Sequence, residues 1–489
     1  MASTTRQPTT YRAVWRWHFY AGLLCAPVLL LLSLTGAIYL FDREIDGWWN
    51  RDLQRVAVGA VALPLATQEA ALVAAYPGAS IGRVRLPEAP DEAARWFLRD
   101  AQGRGRLVFV DPYNARVLGD VDPAWQPTTI ARDLHGNLLM GNIGSHLVEL
   151  TACWTLVMLV TGLVLWWPRR WKARGVLWPR LGTSGRRLWR DLHAIPSAAN
   201  ALLVAFLILS GLPWSAFWGV QFAALGQQLP FIAPSPNFTA SRPAAPSAGP
   251  DAASLAPAGH GGHPASHDAE AARLPWVVRQ SPRPAGIGGH DDAHGHHGAG
   301  GIAAAEALLA RLPVDRFGPG IRIFYPDGPA GVFTISYVPD KAEGQRTLYV
   351  DPASGQLIDD IGWGRYSPVA RVIEWGVETH VGRQYGLANQ IAGLLVCLVL
   401  IGTVIAGLIL WWRRRPSARL GAPDVAPTDR LPRPLVWTIA VLAVLLPLVG
   451  ASLLLVWLLD RLVMALAPRL ARWLGRGAHE PIVRPGGRH

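Results

Sequence analysis

Residues 18–41 read HFYAGLLCAPVLLLLSLTGAIYLF, and residues 193–216 read HAIPSAANALLVAFLILSGLPWSA. From Phe19 to Phe41 no side chain is charged, a run long enough to cross a hydrocarbon core of about 30 Å. An offset of 175 carries His18 onto His193 and Thr35-Gly36 onto Ser210-Gly211. The match extends outward. An offset of 245 carries His135 onto His380 and Trp166-Trp167 onto Trp411-Trp412, and between them Val110-Asp111-Pro112 recurs 240 residues on as Val350-Asp351-Pro352. Three matches in one order are the signature of an internal repeat. His18 to His135 is 117 residues and His193 to His380 is 187, so the second copy carries the longer insertion.

With 51% hydrophobic and 16% charged residues and a mean hydropathy of +0.21, the chain reads as a polytopic membrane protein. Transmembrane helices are expected over 14–45, 132–170, 187–222 and 376–415, with a fifth hydrophobic segment over 435–460. The first run lacks a small-residue cleavage site before Asp42 and is read as an uncleaved anchor. Arg12, Arg16, the basic cluster from Arg169 to Arg190 and Arg413–Arg415 all face the cytoplasm if the N-terminus is inside, which leaves the soluble stretches outside. A simple fifth span would break that pattern by exporting Arg461, Arg469, Arg472 and Arg476; a kink at Pro447 would avoid it. The net charge of +12 comes mostly from these arginines, so lipid headgroups are the expected anionic partner and nucleic acid is not. Cys25, Cys153 and Cys397 all fall in spans and form no CxxCH, so any haem is held non-covalently.

Two soluble modules, 60–125 and 302–365, each read as a helix followed by alternating strands and an Asp-Pro turn. At about 60 residues each is near the lower limit for standing alone, so packing on a neighbour is expected. Between the copies, 234–301 is rich in His, Pro and Gly, a composition that cannot bury a core and reads as disordered.

His18 and His193 sit at the inner ends of spans one and three; His135 and His380 approach spans two and four from outside. The duplication thus makes two depth-matched pairs, each able to supply the two imidazoles that hold a haem iron. A single histidine at a span end is more often an interfacial hydrogen-bonding residue; recurrence in both copies is what favours ligation. His146 is an alternate to His135, because 11 residues bring it to nearly the same helix face. Arg12, Arg16, Arg132 and Arg383 are candidates for haem propionates, since guanidinium pairs bidentately with carboxylate. Seven insertion histidines, His260, His263, His267, His290, His294, His296 and His297, have no fixed ligand spacing and are weak candidates for loose metal capture. No catalytic side chain is assigned.

The chain resembles the PepSY-associated transmembrane family on Thr35-Gly36, Phe41-x-x-Glu44-Ile45, Leu134-His135-Gly136, Gly162-x-x-x-Trp166-Trp167 and Thr379-His380-Val381-Gly382. The family includes inner-membrane reductases of ferric siderophores that carry haem b. The resemblance implies a bundle of four or five transmembrane helices in the bacterial inner membrane, with two small periplasmic α+β PepSY-like domains arranged as a two-fold repeat. It also implies two b haems, a ferric siderophore as substrate and a cytoplasmic flavoprotein or other reductant as donor. Alternatives are a PepSY-based binding or regulatory protein acting on an envelope peptidase, or a haem subunit of another envelope oxidoreductase.

Overall fold

The computed structural model describes residues 9–168, 170–229, 274–280, 284, 301–312, 317–328, 331–416, 420–422 and 433–474. Along the chain run helices α1 (Thr9–Tyr39), α2 (Asp42–Trp49), α3 (Arg51–Gln54) and α4 (Leu65–Ala75), then strands β1 (Ser80–Arg85), β2 (Ala94–Arg99), β3 (Gly105–Val110) and β4 (Val117–Val121). Helices α5 (Pro127–Asn137), α6 (Gly141–Trp166), α7 (Arg186–Gly211), α8 (Ala216–Gln228), α9 (Trp276–Gln280) and α10 (Gly301–Arg311) follow. Strands β5 (Arg322–Phe324), β6 (Phe333–Tyr337), β7 (Arg346–Val350) and β8 (Leu357–Gly362) come next. Helices α11 (Pro368–His380), α12 (Leu387–Arg414), α13 (Arg433–Leu445), α14 (Pro447–Leu466) and α15 (Pro468–Trp473) end the described chain.

Four of these helices are long and apolar enough to cross a membrane: Tyr11–Tyr39, Gly141–Trp166, Arg186–Trp214 and Leu387–Arg414. The chain divides into two compact units, one drawn from Met1–Leu34, Val148–Ile208 and Val396–His489, the other from Thr35–Leu147 and Leu209–Leu395.

In the first unit, α1, α6 and α12 meet at Ala21, Cys25, Leu29, Met158 and Val404. Asn200 joins α7 to α12 by donating to the Val396 carbonyl at 3.2 Å. The segment expected over 435–460 is not one straight span. It is the pair α13 and α14, bent by 118° where Pro447 follows Leu446, because proline offers no N–H to continue the helix. The chain then returns: Leu420 N donates to Trp473 O at 3.0 Å, and Arg16 and Tyr20 donate to Leu474 O. The end of α15 therefore lies beside Arg16 and Tyr20, at the same end of the unit as Leu420.

The second unit contains an eight-stranded antiparallel sheet in the order β4-β3-β2-β1-β5-β6-β7-β8. The two soluble modules thus share one sheet, joined where β1 pairs β5 through Val84↔Ile323. Alternation puts Trp96, Leu98, Val108, Ile323, Ile335 and Leu348 on one face, under Leu65 and Leu72 of α4 and Ile302 and Ala305 of α10. Outer strands are tied in the same way on both sides, by Arg106–Asp120 and Arg346–Asp360, pairs 240 residues apart.

Three expected boundaries change. The stretches 132–170 and 376–415 are each two helices, α5 with α6 and α11 with α12. The first break is set by Leu138, Leu139 and Gly141 at φ 55°, 56° and 57°, the second by Gly382 and Gly386 at φ 83° and 59°. The stretch 187–222 is interrupted by a 3-10 turn at Leu212–Trp214 before α8. Within 234–301, Leu274, Trp276, Val277 and Val278 are buried, against the expectation of disorder there. Trp276 donates to the Pro213 carbonyl, and Val277 N donates to Glu374. A short apolar run found a groove that the surrounding composition concealed.

Candidate functional site

The first unit brings His18 of α1 and His193 of α7 together with ring centres 6.2 Å apart and planes at 77°. Each Nδ1 is held. His18 Nδ1 lies 3.0 Å from Thr161 Oγ1, whose single hydrogen is directed to the helix carbonyls of Val157 at 2.9 Å and Met158 at 3.2 Å. The hydroxyl must therefore accept from His18, which makes Nδ1 the protonated nitrogen. His193 Nδ1 lies 2.9 Å from the Thr403 carbonyl, which can only accept. Both rings are thereby fixed as the tautomer with a bare Nε2, the form that ligates a metal.

Each ring stands close against a glycine. A Cβ on Gly162 would stand 3.1 Å from His18 Cε1, and one on Gly407 would stand 3.0 Å from His193 Nδ1. Gly162 and Gly407 are related by the offset of 245. Both histidines and both glycines line a cavity of about 1000 Å³.

The second unit pairs His135 and His380 with ring centres 6.4 Å apart and planes at 87°. His135 stands in the last turn of α5, and His380 ends α11. Neither lies on a spanning helix. Again the Nδ1 atoms are engaged, by Thr35 Oγ1 at 3.1 Å and by Ser210 Oγ at 3.0 Å. Thr35 and Ser210 are the hydroxyl residues matched at an offset of 175, so the repeated hydroxyl-Gly step holds the repeated histidine.

Beside His380 lies a buried polar cluster. Gln345 donates to Glu374 at 3.3 Å and to Glu378 at 3.2 Å, and Arg383 donates to Asp42 at 2.8 Å. Burial pushes the Glu374 carboxyl up to about 8, with Glu378 nearby adding to it. Burial also raises Glu378, opposed by Arg383. For Arg383 burial works against the charge, yet Asp42 and Glu378 more than offset it and hold the guanidinium above its usual range.

His146 Nδ1 bonds the carbonyl of Asn142 on its own helix at 2.8 Å. The arginines expected at propionates have protein partners. Arg16 donates to Leu474 O, Arg132 bonds Asp133 at 3.1 Å and Arg383 bonds Asp42. Neither Arg12 nor Arg16 lines the cavity at His18; Arg186, Arg187, Arg190 and Arg414 do. His260, His263, His267, His290, His294, His296 and His297 lie outside the described residues. Among the described residues no group of three or more His, Cys, Asp or Glu side chains gathers as a metal cage.

Sequence reasoning missed Thr161 and Thr403. Thr161 precedes a glycine already visible in the repeat and could have been found there. Thr403 acts through its carbonyl, which no side-chain pattern reveals.

No curated protein matches this chain in sequence. A family model described as the PepSY-associated TM region matches residues 15–414, which takes in all four histidines and stops before α13. The chain belongs to the PepSY-associated transmembrane family.

Proposed function

We propose that this chain carries electrons across the bacterial inner membrane on two b haems, one ligated by His18 and His193, the other by His135 and His380, and so reduces a periplasmic ferric siderophore. The observation that carries the reading is the spacing of the pairs. Two imidazoles sharing one iron, with metal–nitrogen bonds of about 2.0 Å and about 1.1 Å from nitrogen to ring centre, would put their ring centres about 6.2 Å apart. The observed 6.2 and 6.4 Å match this. Such a distance also suits a plain edge-to-face contact. The engaged Nδ1 atoms favour ligation, because they leave Nε2 as the nitrogen offered to a metal.

When bound, haem supplies reversible one-electron Fe(III)/Fe(II) chemistry. The protein's part is placement. Thr161 and the Thr403 carbonyl fix the His18 and His193 tautomers, Gly162 and Gly407 admit the rings, and Thr35 and Ser210 steady the second pair. With haem held at both pairs, one electron from a cytoplasmic flavoprotein or similar reductant would be taken up at the His18–His193 site and given from the His135–His380 site to the substrate iron, Fe(III) becoming Fe(II). Hard oxygen ligands hold Fe(II) less tightly than Fe(III), so the metal leaves. The siderophore as acceptor, the cytoplasmic N-terminus and the periplasmic sheet rest on the family resemblance and the basic clusters. The palindromic strand order and the recurring His–hydroxyl bonds support a duplicated ancestor in which each haem takes one ligand from each copy.

The test is optical and kinetic. Detergent-solubilised protein made with ample haem should show b-type Soret and α bands in a reduced-minus-oxidised spectrum, with two haems per chain by pyridine haemochrome. Dithionite-reduced protein, freed of excess reductant, should be oxidised by ferric siderophore in stopped flow. Absence of the b bands would overturn the redox reading in favour of a PepSY-based binding role; persistent reduced haem in the presence of siderophore would point to another oxidoreductase partner.

A further inference from the structure

The cavity at His18 and His193 is lined mainly by apolar side chains and carries five charged ones: Arg186, Arg187, Arg190, Arg414 and Asp191. Asp191 is already committed. It is buried, accepts from Arg180 at 2.7 and 2.9 Å, and accepts from Arg190 at 2.8 Å. Among the described residues no carboxylate pairs with Arg186, Arg187 or Arg414. Like charges gathered around one cavity make it a place that attracts an anion.

Their positions are periodic with the ring sites. Arg186 precedes His193 by seven residues on α7, and Arg414 follows Gly407 by seven on α12. Seven residues are two helical turns, about 10 Å along the axis on nearly the same face. That is the scale of a porphyrin radius plus a propionate arm. Arg414 is also braced, with its guanidinium carbon 4.2 Å from the Trp15 ring centre and Nη2 donating to the Gly421 carbonyl at 3.3 Å. A guanidinium held by a ring keeps its remaining N–H groups presented for a carboxylate fork.

From this arrangement we infer that Arg186, Arg187 and Arg414 bind the two propionate carboxylates of the haem held by His18 and His193. The inference rests on the haem reading above and assigns to these residues the role the sequence had suggested for Arg12 and Arg16. It also orients the cofactor, with the carboxylate edge toward the start of α7 and the end of α12.

The experiment compares a diacid with its neutral ester. Full-length His380→Ala protein, which isolates this site, is stripped of haem in detergent and titrated with iron protoporphyrin IX and with its dimethyl ester, followed at the Soret band. Charge-assisted pairing at a partly exposed site should make the diacid bind at least about tenfold more tightly. The triple variant Arg186→Gln/Arg187→Gln/Arg414→Gln should bind both porphyrins alike, and the corresponding triple lysine variant should regain most of the preference. Equal binding of both porphyrins by the parent, or a preference kept by the glutamine variant, overturns this inference and leaves the haem reading standing. Binding of neither overturns both. As a check that needs no stripped protein, haem should transfer from the glutamine variant to apomyoglobin at least about tenfold faster than from the parent; an unchanged rate overturns the inference.

Discussion

At Gly162 and Gly407 the imidazoles stand so close that even a Cβ would be tighter than ordinary contact. A Cβ near 3 Å from an imidazole must push it away, so Gly162→Val and Gly407→Val should each lower haem from two per chain to one by pyridine haemochrome, with the His135–His380 site retained. Retention of both would show that the rings have room to move. Glu374 makes a different prediction. Its folded value of about 8 lies above the unfolded value of about 4.3, so its contribution to stability is fully present below the unfolded value and is lost as pH rises through the folded one. Apparent melting temperature should therefore fall between about pH 5 and 8. Glu374→Gln keeps an acceptor for Val277 N and should flatten that slope; an unchanged slope would move the titration elsewhere. The histidines were legible from recurrence alone. Their partners were less so, because Thr161 and the Thr403 carbonyl come from other helices and meet the rings only through packing.

Among the elements, the bent pair α13 and α14 is the clearest case of composition misleading. Its hydropathy is that of a span, yet Pro447 turns it by 118° and the chain returns to Leu420 and Arg16. In protein whose native cysteines are replaced, cysteines introduced by Arg12→Cys and Arg469→Cys should react with impermeant maleimide from the same side of sealed vesicles. Labelling from opposite sides would mean that the segment crosses. The breaks before α6 and α12 teach a related lesson. As one helix, His135 to Trp167 would run about 48 Å, more than one hydrocarbon thickness, so the sequence predicts either a His135 above the core or a break at Gly141 and Gly144; the left-handed Leu138, Leu139 and Gly141 show where the helix ends. Two consecutive leucines in that region are costly for L-residues, and propensity gives no sign of them.

For the molecule as a whole, the eight-stranded sheet explains how two modules of marginal size persist. Each lends the other an edge at β1–β5, so the apolar face is shared by α4 and α10 and no central strand is left unpaired. Ile323 is fully buried at that seam. Ile323→Asp should destabilise both modules together, by about 3 kcal/mol or more for an unpaired buried charge, read as a single shifted transition in far-UV circular dichroism of the protein in detergent. Loss of one module with survival of the other would show that the seam is not cooperative.

Hydrophobic runs and arginine clusters determined from sequence alone that the chain reads as a membrane protein, because span length and charge bias are local properties, and the short motifs around the recurring histidines carried the family resemblance. Tertiary structure decided which atoms hold the Nδ1 nitrogens of the paired histidines, which arginines reach the cavity and where the chain returns after the bend at Pro447. Those outcomes depend on groups far apart in the chain, on backbone carbonyls and on φ angles, none of which leaves a periodic trace in the order of residues.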